Sequence, residues 1–201
     1  MTSGAKAIAV GDLGRMMVID SSDTVWYKDK QGANWSQIAT SIKSIAVGGN
    51  GRMMVINSAD NAYYMDSVAA GWQSAANGIK AIAVGRYGRM MVINSADNAY
   101  AADSPTAWTQ LTTGGGITAI AIGGKERMMV INSSNNAYIK ETMGGAWNLT
   151  VTGAQKIGVS AAGSMMVIDS NGAAYFKYNP ADGWSSQTSN GGAAQIGINK
   201  G

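Results

Sequence analysis

The sequence predicts an all-β fold, a five-bladed β-propeller with four antiparallel strands in each blade. Three observations predict it. The chain repeats itself five times at a period of about 37 residues, each repeat holds apolar blocks of four to six residues, and turn residues separate the blocks. Four short strands per repeat, arranged radially, bury both faces of each sheet and leave only short edges. We therefore expect one propeller domain over residues 1–201.

Each repeat carries four motifs in a fixed order. An Ile-Ala-Val-Gly block comes first, then a Met-Met-Val-Ile block, then an aromatic residue, and a Trp closes the unit. The spacing of equivalent residues stays between 36 and 39. The predicted repeats cover 8–44, 45–81, 82–119, 120–156 and 157–195, and a closing C-terminal strand is predicted over 196–201.

The second repeat shows how the elements follow from the residues. Its apolar blocks predict strands near 43–47, 52–57, 62–65 and 72–75. The second block is apolar on both alternating faces, so a neighbouring blade must cover each side. The first block mixes Ala and Gly with Ile and Val, which suits the crowded inner rim of a propeller.

Residues 195–198 begin a sixth copy of the first strand. Two interpretations stay open. The segment pairs with the first or the last blade and fastens the ring, or it marks a sixth blade that another chain completes.

Composition excludes several classes of function. With no cysteine and no histidine, the chain lacks disulfides, thiol nucleophiles, the commonest general base and the commonest transition-metal ligand. Its formal charge of +3 is spread over single Lys and Arg residues, not gathered in the basic stripe that phosphates require. No apolar run approaches the roughly 20 residues that span a bilayer. We expect no enzyme activity, no cofactor, no metal, no nucleic-acid partner and no membrane insertion.

The ordered set of Ile-Ala-Val-Gly, Gly-x-Met-x-Val-Ile-Asn, Tyr and closing Trp resembles the tectonin repeat and, more distantly, the repeat of the five-bladed tachylectin-2 lectins. The likeness covers essentially the whole chain. It implies a propeller lectin with several equivalent pockets between blades, recognising N-acetylglucosamine-containing or O-methylated glycans, often in innate defence. The chain departs from tectonins in its Met-Met pair, where an aromatic is common, and in having five units instead of six or seven.

The closing Trp is the first candidate for sugar binding, because sugars need an apolar platform beside a few fixed hydrogen-bonding groups. The indole packs between blades as core or faces a ligand, and one indole can do both. The candidates are Trp35, Trp72, Trp108, Trp147 and Trp184.

Polar residues that recur with the repeat are the other candidates. The Arg before the Met-Met pair is either a sugar contact or a solvated residue at a hairpin, and it occurs as Arg15, Arg52, Arg89 and Arg127. A second group either recognises ligand or caps turns by bonding to its own backbone, and it comprises Asn57, Asn94, Asn132, Asp60 and Asp97. Ser164 replaces the Arg in unit five, which also changes the polar group, so unit five is predicted to hold the weakest site.

A variable aromatic position has two interpretations: it tunes or excludes binding, or it varies simply because outward strand positions of a propeller drift. It holds Tyr27 in unit one and Tyr64 in unit two, whereas unit three has Ala101.

These residues lead to two hypotheses. The first is a non-catalytic, multivalent lectin, a monomer or small homo-oligomer with hemagglutinin behaviour, whose weak sites gain by avidity. The second is a rigid propeller scaffold for protein–protein interaction. An engineered repeat protein is one form of this hypothesis, since units two and three are nearly identical in sequence. The first residues hold no signal-type apolar core, so we expect a cytoplasmic protein, or one released without a classical signal peptide.

Overall fold

The computed structural model describes residues 4–11, 14–188 and 192–196. Within these ranges the chain forms five antiparallel sheets of four strands and one short 3-10 helix at Val68–Ala70. Strand order in each sheet follows chain order, so each sheet is a simple meander. We call the sheets blade 1 to blade 5. The predicted all-β, five-bladed β-propeller with four antiparallel strands per blade is confirmed.

The strands have similar lengths from blade to blade. Blade 1 contains β1 (Ala5–Val10), β2 (Met16–Asp20), β3 (Val25–Lys28) and β4 (Ser36–Ala39). Blade 2 contains β5 (Ile42–Val47), β6 (Met53–Asn57), β7 (Ala62–Met65) and β8 (Gln73–Ala76). Blade 3 contains β9 (Ile79–Val84), β10 (Met90–Asn94), β11 (Ala99–Ala102) and β12 (Thr109–Gln110). Blade 4 contains β13 (Ile117–Ile122), β14 (Met128–Asn132), β15 (Ala137–Lys140) and β16 (Asn148–Val151). Blade 5 contains β17 (Ala154–Val159), β18 (Met165–Asp169), β19 (Ala174–Lys177) and β20 (Ser185–Ser186).

In blade 2 the four predicted strands lie within one residue of the observed ones. The main correction concerns Trp72, which the sequence placed in the fourth strand. That strand begins at Gln73, the partner of Tyr64 in the ladder. Trp72 precedes it, and its indole turns towards blade 1.

The second strands form the core between blades. In β6, Met53 and Val55 pack against blade 1, whereas Met54 and Ile56 pack against blade 3. All four are buried. The unbranched Met side chain adapts to the irregular gap between two sheets, which fits its repetition in every unit.

The first strands lie innermost, as predicted. Those of consecutive blades contact one another, and together they surround a central channel of about 290 Å³. The side chains of Ala, Val and Ile residues and the backbone of Gly158 line this channel. Small side chains are suited to this position because the inner edges of five sheets converge there.

The junction between blade 5 and blade 1, which we call the seam, differs from the other junctions. Elsewhere the second strand of one blade packs on the first strand of the next. Among the described residues, β18 makes no comparable contact with β1. Ile8 and Val10 of β1 are therefore 72% and 51% exposed, whereas their equivalents Ile45 and Val47 are only partly exposed.

Residues 192–196 begin to fill the seam. The N–H of Ala193 donates to the carbonyl oxygen of Gly172 at 3.1 Å, just as the N–H of Ile42 donates to Asp23 at 3.0 Å where blade 2 begins. The same bond opens blades 3, 4 and 5. Ile196 then lines the central channel without belonging to a strand. The rest of the predicted closing strand lies outside the described residues.

Candidate functional site

The repeated Arg precedes the second strand of blades 1 to 4 and pairs with a carboxylate of its own blade. The carboxylate comes 14 residues later, at the loop between the third and fourth strands. The pairs are Arg15 with Asp29, Arg52 with Asp66, Arg89 with Asp103, and Arg127 with Glu141. These Arg side chains are only 4% to 16% exposed, so the interpretation of a solvated hairpin residue is wrong.

The same guanidinium also reaches the next blade. Nη1 of Arg52 donates to the carbonyl oxygens of Gly88 at 2.8 Å and Asp103 at 3.2 Å in blade 3. Arg15 and Arg127 make the equivalent pair of bonds. The planar guanidinium presents five donors in a fixed fork, so one side chain can serve a carboxylate and two carbonyls together. These donors hold consecutive blades together, and a direct role in sugar binding stays a prediction.

Arg89 reaches the next blade through an ion pair instead of through backbone carbonyls. Its Nη1 lies 3.2 Å from Oε2 of Glu126 in blade 4, in addition to its pair with Asp103. The hydrogen bond to Asp103 raises the pKa of Arg89, and the bond from Arg89 holds the pKa of Asp103 below its ordinary value. Within the described ranges, the junction between blades 3 and 4 is the one at which the repeated Arg forms an ion pair with the next blade.

Blade 5 has Ser164 where the other blades have Arg. Its side chain is buried, and its N–H donates to Oγ of Ser160 at 3.0 Å. Among the described residues, no blade follows blade 5 with carbonyl groups equivalent to those of Gly88 and Asp103.

The closing Trp links blades in the opposite direction. Its indole N–H donates to a backbone carbonyl of the preceding blade, in or beside the fourth strand. The bonds are Trp72 to Ile38 at 3.0 Å, Trp108 to Ala75 at 3.1 Å, Trp147 to Leu111 at 2.9 Å and Trp184 to Thr150 at 3.2 Å. Each of these indoles remains partly exposed. They pack between blades and keep some surface for a ligand.

Trp35 is the exception because it faces the seam. In the described part of the chain its indole N–H has no hydrogen-bond acceptor, and Nζ of Lys28 lies 4.8 Å from the centre of its ring. Trp35 is thus the one predicted Trp that lies at no packed junction between described blades.

The Asn candidates organise the turn between the second and third strands. Oδ1 of Asn94 accepts from the N–H groups of Ala96 and Asn98 at 3.1 and 2.9 Å. Asn57 and Asn132 do the same in their own blades. The turn interpretation of these residues accounts for their repetition.

The Asp candidates occupy the left-handed position of that turn. Asp60 has φ of 63° and Asp97 has φ of 58°, and Gly172 takes this place in blade 5 with φ of 74°. Asp60 and Asp97 each pair with an exposed Lys on the first strand. Strand direction places these turns on the face of the propeller opposite to the Arg and the Trp.

A cavity of about 440 Å³ opens between the outer strands of blades 4 and 5. Its polar lining comes from both blades and consists of Glu141, Asn148, Thr150, Lys177 and Asp182. Its apolar lining is Ile139, Leu149, Pro180, Ala181 and the indole of Trp184. Of the candidates predicted from the sequence, Trp184 lines this cavity, and the Arg, Asn and Asp candidates lie elsewhere.

Lys177 and Trp184 form the central pair of this cavity. Nζ of Lys177 donates to the carbonyl oxygen of Pro180 at 2.9 Å and lies 4.9 Å from the centre of the Trp184 ring. Burial lowers the pKa of Lys177, the carboxylate of Asp182 opposes this shift, and the charge of Arg127 adds to it. The cavity thus presents a fixed ammonium donor, an indole edge and two carboxylate acceptors within one cleft.

Apart from Trp184, the lining of this cavity was not predicted from the sequence. Lys177 occupies the register position that holds Met65 in blade 2 and Ala102 in blade 3, opposite the first Met of the Met-Met pair. The same position holds a Lys in three units, as Lys28, Lys140 and Lys177, and this recurrence is the signal that the sequence contains.

The described residues contain no group of three acidic, His or Cys side chains that could hold a metal ion. In the same part of the chain, no helix has the length and apolar character needed to cross a bilayer.

Solved structures that resemble this chain are propellers of low sequence identity. YCF48 bound to D1 peptide is 15% identical with a TM-score of 0.60, over 92% of this chain and 66% of that one. Prp20p from Saccharomyces cerevisiae is 11% identical with a TM-score of 0.68, over 86% and 57%. The tricorn protease is 8% identical with a TM-score of 0.72, over 92% and 26%. The chain thus spans less than two thirds of each, and the likeness supports the fold alone.

No curated protein matches the chain. The model of the tectonin domain, by contrast, matches residues 4–196, which include all five blades. With the repeat, the propeller and this match in agreement, the chain belongs to the tectonin domain family.

Proposed function

We propose that this propeller is a non-catalytic carbohydrate-binding protein, and that the cavity between blades 4 and 5 is one of its binding sites. The observation that carries the proposal is the lining of that cavity. An indole, an ammonium group, an amide and two carboxylates meet in a cleft of about 440 Å³. Sugars bind where an apolar surface and several hydrogen-bonding groups converge, and family membership points to the same function.

The ligand class that we propose is a glycan with N-acetylglucosamine or an O-methylated sugar. An acetamido group offers one donor and one acceptor beside a methyl group. The cavity offers carboxylates for donors and Lys177 for an acceptor, next to the apolar surface of Leu149 and Ile139. A ring of this kind can place its C–H face against the Trp184 edge.

A glycan array with the full chain, followed by calorimetric titration, tests the proposal. Trp184→Ala should lose most of the binding, because it removes the aromatic part of the apolar lining of the cavity. Trp35→Ala is the matched control, since it deletes the same residue of the repeat at the seam instead of at the cavity. A folded wild-type chain that binds no array glycan would refute carbohydrate binding.

A second function, a scaffold that binds another protein, is favoured by the seam. Ile8 and Val10 are exposed on one side of it, and Tyr178 on blade 5 is 68% exposed. Pull-down experiments with wild type and with Ile8→Lys would test this function. Capture of one protein that Ile8→Lys abolishes and free sugar does not displace would support it.

A further inference from the structure

One position of the third strand determines how much space remains between blades. It lies opposite the second Met of the Met-Met pair and points towards the next blade. Its occupants are Tyr27, Tyr64, Ala101, Ile139 and Phe176. We call it the junction position.

At the junction between blades 4 and 5 this position leaves the cavity open. Ile139 is part of the cavity wall, beside Asn148, its partner in the fourth strand. A branched aliphatic side chain stops short of the fourth strand's outer edge, so the space above Asn148 stays free.

At the junction between blades 2 and 3 a phenol occupies the corresponding place. The hydroxyl of Tyr64 donates to Oε1 of Gln73 at 2.5 Å, and Gln73 is the register equivalent of Asn148. The guanidinium of Arg52 lies 5.6 Å from the centre of the Tyr64 ring, and the ring packs in one cluster with Trp108. Tyr64 is thus held from both sides in the place where Ile139 leaves space.

Tyr27 does the same between blades 1 and 2. It is only 9% exposed, its hydroxyl donates to Asp29 at 2.5 Å, and it packs with Trp72. Between blades 3 and 4 the small Ala101 leaves space, but Met143 of blade 4 packs into the same cluster as Trp147. At each of these three junctions a large side chain, Tyr27, Tyr64 or Met143, packs in the cluster between the blades.

We propose that the junction position is the residue that decides which blades bind sugar: Tyr27 and Tyr64 close their junctions, and Ile139 leaves the site between blades 4 and 5 open. This rests on the carbohydrate binding proposed above. It gives a chain with five repeats one principal site, at the unit that the sequence had marked as weakest.

Two exchanges of residue test this assignment with the full chain. Ile139→Tyr should place a ring in the cavity and so prevent the sugar from making contact there. We expect binding to weaken by at least about tenfold, which corresponds to about 1.4 kcal/mol. Tyr64→Ala combined with Ala102→Lys, which supplies the counterpart of Lys177, should open a second site and raise the stoichiometry from about one to about two per chain. Calorimetric titration with N-acetylglucosamine and with 3-O-methylglucose gives both readouts.

The controls keep the aromatic ring and remove its hydroxyl group. Tyr27→Phe keeps the ring between blades 1 and 2 and should leave affinity and stoichiometry unchanged. Tyr64→Phe retains the filling ring and should not open a site. Thermal unfolding of every variant checks that it is folded. If the variant with Tyr64→Ala does not fold, the result for Ile139→Tyr tests the assignment by itself.

The outcomes separate the two proposals. A wild-type chain that binds neither sugar overturns the ligand class that we propose, and this inference falls with it. Wild-type binding that Ile139→Tyr leaves unchanged, or wild-type binding at several sites per chain, overturns the junction assignment while carbohydrate binding stands.

Discussion

Nη1 of Arg52 in blade 2 donates to the carbonyl oxygen of Gly88 in blade 3, 2.8 Å away. Replacement by Met leaves this carbonyl without its donor and Asp66 without its partner. Because hydrogen bonds to charged groups contribute about 1.5–3 kcal/mol, we expect Arg52→Met to lower the free energy of unfolding by that amount. Urea denaturation measures it. The control is Lys43→Met, which removes an exposed ion pair with Asp60 and should cost less than about 1 kcal/mol.

The hydrogen bond of the closing Trp should be measurable by comparing two equivalent positions. Trp72→Phe removes a bond to the carbonyl oxygen of Ile38, whereas Trp35→Phe removes no hydrogen bond within the described residues. We expect Trp72→Phe to cost about 1 kcal/mol more than Trp35→Phe. Equal losses in thermal denaturation would show that this bond does not stabilise the junction.

The ion pair between Arg89 and Asp103 should make the free energy of unfolding depend on pH in the acidic range. The pKa of Asp103 is lowered in the folded state, so its contribution is complete above the unfolded-state value of about 3.9. It is lost as pH falls through the lower, folded-state pKa. The free energy of unfolding of wild type should therefore fall more steeply below about pH 4 than that of Asp103→Asn. Parallel curves from pH 7 to pH 2 would contradict this.

The turn between the second and third strands should tolerate one change and not another. Asn94→Ala removes the acceptor of two backbone N–H groups, and we expect a loss of about 1–2 kcal/mol. Asp97→Gly keeps the left-handed conformation, as Gly172 does in blade 5, and should be close to neutral. Chemical denaturation of both variants measures the difference. A larger loss for Asp97→Gly would mean that its ion pair with Lys80 matters more than the backbone conformation.

Lys177 is a charge that burial disfavours, as its lowered pKa indicates. Lys177→Met introduces the residue that blade 2 has at the equivalent position, Met65, and packs an apolar chain against Trp184. We expect the variant to be at least as stable as wild type at pH 7 and to bind sugar more weakly. Melting temperature and sugar titration check the two effects. A less stable variant would show that the bond from Lys177 to Pro180 outweighs the cost of burying the charge.

The blades could be predicted because their determinants are local and repeated. Alternating apolar residues such as Met53 and Met54 demand cover on both faces, and turns such as that of Asn94 have their own chemistry. Both signals occur five times in the chain, which removed most of the ambiguity of a single short strand.

The cavity could not be predicted in the same way. It depends on Ile139, at a position that varies from unit to unit, and on Lys177, at a position that holds Lys in three of the five units. It also depends on contacts between units, whose arrangement in space the sequence does not specify. Arg52 illustrates the same limit: its partners Gly88 and Asp103 lie 36 and 51 residues away, in the next blade. Recurrence of the Arg showed that the position matters, but not that its role is to join blades.

The seam has a consequence for how the molecule comes apart. Among the described residues, blades 1 to 4 contact the next blade through Arg, and blades 2 to 5 bond to the preceding blade through Trp. No equivalent contact joins blade 5 to blade 1 within those residues. The chain should therefore behave as a linear array of repeats, whose stability is the sum of the stability of each blade and of the interfaces between neighbouring blades. Local unfolding should start at the two terminal blades and advance inward. Amide hydrogen exchange should therefore be fastest in blades 1 and 5 and slowest in blade 3.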